Sequence, residues 1–82
     1  MRFTKKNASD IVRAYLHDVP GTERVEIVPT RRYRRRGFFV DVYSDFSLPE
    51  QVEKSVDATC LLLNLWPKFY IDMRMNGCDY RD

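Results

Sequence analysis

The stretch Val25-Glu26-Ile27-Val28-Pro29-Thr30-Arg31-Arg32-Tyr33-Arg34-Arg35-Arg36-Gly37-Phe38-Phe39-Val40-Asp41-Val42-Tyr43 decides the fold. Its second half alternates: Phe38, Val40 and Val42 fall on one face of a strand, Phe39, Asp41 and Tyr43 on the other. Its first half belongs to a segment from Glu23 to Val28 in which Val25 and Ile27 alternate with Glu26. β-branched and aromatic residues dominate both halves, as a pleated, half-buried surface prefers. Sequential strands usually pair, so the two predict an antiparallel hairpin with a long basic tip between Pro29 and Gly37.

Working outward, the hairpin is followed by Ser47-Leu48-Pro49-Glu50, which fits a helix start with Ser47 as cap, Pro49 in the first turn and Glu50 three residues on. Leu48, Val52, Val56, Cys60 and Leu63 then recur at helical spacing and predict the buried stripe. Leu61, Leu62, Leu65 and Trp66 widen that stripe until the last turns are apolar nearly all round, and burial within the monomer is the expectation. A last strand is predicted over Lys68–Met75, after Pro67. Upstream, Ile11, Val12, Tyr15, Leu16 and Val19 mark another helix, starting at Asn7 or Ser9 and stopped by Pro20-Gly21.

The order is helix, strand, strand, helix, strand. A short strand at Arg2 to Thr4 would complete βαββαβ, the ferredoxin-like arrangement. Without that strand the expectation is a truncated αββαβ antiparallel sheet. Either form is an α+β two-layer sandwich with both helices on one face. Residues 1–75 are read as a single domain, and 76–82 as a polar C-terminal tail.

Composition sets the outer limits. The 82 residues hold 44% hydrophobic side chains, enough to exclude disorder throughout, and two cysteines, too few for a disulfide scaffold. Cys60 is read as core filling and both thiols as reduced. The most apolar run, Cys60 to Trp66, is far shorter than the roughly 20 residues of a membrane span. No membrane partner is expected. No apolar core follows the basic start, so a secretory signal is not expected and the reading is cytoplasmic.

The net charge of +2 conceals a separation. Residues 1–37 carry ten basic and four acidic side chains, or +6, whereas residues 38–82 carry four and eight, or −4. Such asymmetry points to a polyanion or an acidic protein surface as partner.

Motifs for catalysis are missing. There is no Cys-x-x-Cys, no Gly-rich phosphate loop and no Gly-x-Ser-x-Gly elbow, so neither metal nor cofactor is expected. His17, the only histidine, reads as a surface residue near a helix end. Asp41 and Asp72 share the outer sheet face and read as solvated partners of Arg74 rather than as an acid–base pair.

Arginine forks bind phosphate bidentately, and a tyrosine among them can stack on a base. Arg31, Arg32, Tyr33, Arg34, Arg35 and Arg36 are therefore the candidate nucleic-acid-binding residues, with Lys5 and Lys6 adding attraction. Phe39, Tyr43 and Tyr70 are predicted on the outer sheet face, where RNA-recognition domains carry stacking aromatics. Arg36-Gly37-Phe38-Phe39-Val40 lacks the small residue those domains keep between their aromatics, so no family is assigned.

The leading expectation is a small non-catalytic protein contacting nucleic acid, RNA ahead of DNA, through an arginine-rich hairpin. The alternative is a compact protein-binding inhibitor or adaptor, of the kind phages direct at host nucleic-acid machinery. It would act through charged surfaces that include Glu50, Glu53 and Asp57. A homodimer through the aromatic sheet face or the apolar helix end is a further expectation.

Overall fold

The computed structural model describes residues 2–77. Its elements are α1 (Lys5–Leu16), β1 (Thr22–Arg32), β2 (Arg35–Ser44), α2 (Pro49–Leu65) and β3 (Tyr70–Asn76). The sheet order is β1-β2-β3, with β1 and β2 antiparallel and β2 and β3 parallel. Both helices cover one face in an α+β sandwich: α1 lies on β1, α2 on β3 and β2.

The sheet is mixed, where the truncated form predicted an antiparallel one. The reason is the missing first strand. Residues 2–4 do not extend into the sheet. Thr4 instead caps α1, its Oγ1 accepting from the Asn7 N–H at 2.9 Å, so the helix starts before Asn7 or Ser9. Phe3 turns inward and stacks on Phe38 at 4.9 Å, with the Phe69 ring at 5.1 Å and the Trp66 ring at 5.4 Å. No strand then separates β2 from β3. α2, about 25 Å long at the helical rise, returns the chain to the start of β2, and β3 runs parallel beside it.

The core is the face the alternation predicted. Val25, Ile27, Phe38, Val40, Val42 and Ile71 point to the helices and meet Ala8, Val12, Leu16, Ala58 and Leu62. Phe38 is completely buried, a burial that contributes about 1.5–3 kcal/mol.

α2 departs from its prediction. Its buried line is Gln51, Ser55, Ala58 and Leu62, about 100° round the helix from the expected stripe. Leu48, Val56 and Leu63 are exposed, and Cys60 is an exposed free thiol rather than core filling. Small Ser55 and Ala58 let the helix approach closely, and the polar atoms on this line are satisfied. The Ser55 hydroxyl donates to the Gln51 carbonyl at 2.7 Å. The Gln51 amide donates to the Pro20 carbonyl (2.7 Å) and to Asp45 Oδ1 (2.9 Å), and its oxygen accepts from the Leu48 N–H (2.9 Å). The helix begins after Leu48, so Ser47 does not cap it; its N–H and hydroxyl donate instead to Asp45 Oδ1. Of the predicted tail, Asn76 ends β3 and residues 78–82, with Cys78, lie outside the described residues.

Candidate nucleic-acid interface at the hairpin tip

The arginine run is part of the ladder rather than a long tip. Thr30 pairs with Gly37, Arg31 with Arg36 and Arg32 with Arg35, leaving only Tyr33 and Arg34 as the turn. Both have positive φ, 52° and 60°, the backbone of a type I′ turn. Asn-Gly is the usual occupant, because left-handed backbone costs other residues roughly 1–2 kcal/mol each. Directly opposed like charges destabilise a strand pair further. The five arginines are all exposed, and Tyr33 is 78% exposed at the apex.

Pairing distributes the arginines to two sides by alternation. Arg32 and Arg35 follow the open face with Val28, Thr30 and Phe39; Arg31 and Arg36 follow the helix-covered face with Ile27 and Phe38. On the covered side the Arg36 guanidinium sits 5.5 Å from the Phe69 ring, part of the aromatic cluster beneath the tip. On the open side Arg32 lies 5.6 Å from the Phe39 ring, and Tyr33 lies 5.7 Å from the Tyr70 ring. Gly37 permits this: a Cβ there would overlap the Tyr70 backbone carbonyl, so any side chain would push β2 and β3 apart below the tip.

The open face continues the pattern. Phe39, Tyr43 and Tyr70 lie on it as predicted, half-buried, and Phe39 meets Tyr70 edge-on at 6.2 Å. Arg74 stacks over Phe39 at 4.0 Å and Arg24 over Tyr43 at 4.1 Å. Arg74 also donates two bonds to Asp41, Nε to Oδ1 at 2.6 Å and Nη2 to Oδ2 at 2.8 Å. That bonding raises the Arg74 pKa above its ordinary value and fixes its plane over the ring. Asp41 is buried on the central strand and neutralised by this fork, so it is not a free repulsive charge. Asp72 stands opposite Phe39, not beside Asp41, and accepts a 3.3 Å bond from the Tyr70 hydroxyl. Desolvation first, and the Asp72 charge second, push the Tyr70 hydroxyl pKa up, which keeps it a neutral donor.

Lys5 and Lys6 open α1 beside Val28 and Pro29, flanking a groove with Ser9 and Glu26 along the edge of β1. Lys6 is held in an exposed ion pair with Asp10 at 2.8 Å, so Lys5 is the freer of the two. Glu50, Glu53 and Asp57 are exposed on α2, the first two at the helix start, remote from the tip. The structure thus brings the arginines, Tyr33 and Tyr70 together and leaves the acidic trio apart. Arg24 was missed as part of the aromatic face; Arg74, expected there as a partner of Asp41, is found there. The parallel register sets Arg74 directly opposite Asp41, and Asp41 is buried rather than solvated as expected.

Among the described residues no three His, Cys, Asp or Glu side chains come together as a metal site, and no helix is long and apolar enough to cross a membrane. Neither a protein-family model nor a curated protein sequence matches the chain. A solved structure does: the metal-bound C-terminal domain of the CzcD transporter from Thermotoga maritima. It matches with a TM-score of 0.57 and 14% identity over 100% of each chain. At that identity the likeness is one of fold, and it places the chain among small ferredoxin-like α+β domains.

Proposed function

We propose that this is a small non-catalytic binding protein that contacts nucleic acid, RNA ahead of DNA, through the β1–β2 tip. The observation that carries the reading is the cost of the tip. Two non-glycine residues hold left-handed backbone, and two arginine pairs face each other across the ladder. No ion pair joins these five arginines to an acid among the described residues. Strain and repulsion of this kind concentrate where a ligand resolves them, and phosphates would resolve the repulsion. Tyr33 offers one exposed ring at the apex, suited to a base splayed from a single strand, the form in which RNA is read by stacking. Arg32 and Arg35 would follow the backbone onto the open face.

The test is fluorescence anisotropy with one short single-stranded sequence, as RNA and as DNA, across a salt series. Replacing Arg31, Arg32, Arg34, Arg35 and Arg36 by Gln is expected to abolish binding and flatten its salt dependence, with the fold retained. Unchanged affinity and slope would overturn the proposal.

The second reading, a protein-binding inhibitor or adaptor, has one observation of its own: Glu50, Glu53 and Asp57 are exposed together on α2. A pull-down with and without nuclease separates the two. Partners that vanish with nuclease support the first reading, and a stoichiometric protein that persists supports the second.

A further inference from the structure

The sheet has two edges, and they differ. The β1 edge is guarded: Pro29 has no N–H to offer, and Arg13 reaches across to donate to the Val25 carbonyl at 3.3 Å. β3 contains no proline and has no strand on its outer side among the described residues. Beside that edge lies unburied apolar surface. Glu50 and Lys54 of α2 share a groove with Ala14 and Tyr15 of α1, so Val52, Val56 and Leu63 occupy the flank turned away from α1, on the β3 side. Val56 is 45% exposed, Leu63 39%, and Met75 of β3 50%.

We propose that β3 pairs antiparallel with β3 of a second copy, about a two-fold axis at Met73, and that the two α2 flanks close over the seam. The sequence Ile71-Asp72-Met73-Arg74-Met75 selects this register. Centred on Met73, each Asp72 faces the other copy's Arg74, Ile71 faces Met75, and Met73 faces its own counterpart. Moving the axis to Asp72 opposes two aspartates, and moving it to Arg74 opposes two arginines; both are unfavourable cross-strand pairs. A slip of one residue would set outward side chains against inward ones and carry the second copy's helices to the opposite face. Only the Met73 register joins unlike charges on the open face while bringing apolar helix flanks together on the other. The product is a six-stranded sheet with one continuous open face and a hairpin tip at each end. It does not depend on what the tips bind.

Sedimentation equilibrium of the full chain at micromolar concentrations is expected to give a dimer. Asp72→Lys, an exposed change, sets lysine against arginine twice and is expected to weaken the dimer at least tenfold; Val56→Lys is expected to weaken it without touching the strand. In a C60S/C78S background, Met73→Cys is expected to form an intermolecular disulfide on mild oxidation, and Asp72→Cys is not. A monomer throughout overturns the proposal. So does a dimer that Asp72→Lys leaves intact, whether or not Met73→Cys folds, and a dimer in which folded Met73→Cys does not cross-link.

Discussion

The two ends of the β1–β2 hairpin are built on opposite terms. At one end the chain turns through Tyr33 and Arg34 in left-handed backbone, between arginines that face arginines. At the other, Pro20, Asp45, Leu48 and buried Gln51 form a polar knot in which the Gln51 side chain makes three hydrogen bonds of 2.9 Å or less. One end leaves its arginines without an ion pair among the described residues; the other satisfies its own polar groups. The basic tip, with Lys5 and Lys6 nearby, and the acidic start of α2 turn the charge separation of the sequence into a polarity along the molecule. An 82-residue domain has little stability to spare, so a costly tip needs a firm base. The knot supplies it by tying the α1–β1 turn and the β2–α2 loop to the first turn of α2.

Breaking the knot is expected to have the largest effect. Gln51→Leu keeps volume but strands the Leu48 N–H and the Pro20 carbonyl; an unmet buried group costs about 1–3 kcal/mol, and these two are part-buried, so each costs less than that. A loss of about 1–3 kcal/mol in chemical denaturation is expected. Nucleic-acid affinity below the unfolding transition should hold, because the site lies at the far end. A neutral Gln51→Leu would show that the knot anchors nothing.

Relieving the tip is expected to act in the other direction. Replacing Tyr33-Arg34 by Asn-Gly supplies the residues that a type I′ turn favours and removes one positive charge. Stability is expected to rise by about 1–2 kcal/mol, while affinity for single-stranded RNA falls through loss of the ring and one arginine. If thermal unfolding is unmoved, the turn is not strained, and the contrast between the two ends disappears.

How far these ends could be read beforehand follows from what each residue reports. The strands were legible because burial of one sheet face imprints a period of two, unmistakable in Phe38 to Tyr43. The tip was legible in composition but not in form. No Asn-Gly marks a two-residue turn, so the arginines resembled a loop although the ladder runs through them. α2 misled because its buried line includes Gln51 and Ser55, which hydrophobic periodicity does not count, while Val56 and Leu63 face outward. The parallel β3 was hidden in a negative fact: Phe3 is apolar enough for a strand, and Thr4 commits the chain to a helix cap instead. The pairing of Asp41 with Arg74 was legible from their shared face, but not that it would bury Asp41.

The finest distinction between the ends is a dependence on pH. Asp45 is held below its ordinary pKa of 3.8, first by the Ser47 N–H, then by the Gln51 amide and the Ser47 hydroxyl, each donating to the carboxylate. A carboxylate whose pKa is lower folded than unfolded contributes stability above the unfolded value. That contribution is lost as pH falls through the folded value. The knot should therefore loosen from about pH 4 downward. The tip from Thr30 to Gly37 holds no carboxylate and contributes no such step. Asp45→Asn keeps an acceptor for Ser47 and cannot titrate. Melting temperatures of the two proteins are expected to run apart by a constant amount above about pH 5 and to draw together as pH falls below about 4. Every other carboxylate is common to both proteins, so the changing difference belongs to Asp45 alone, and parallel curves would remove Asp45 from the knot.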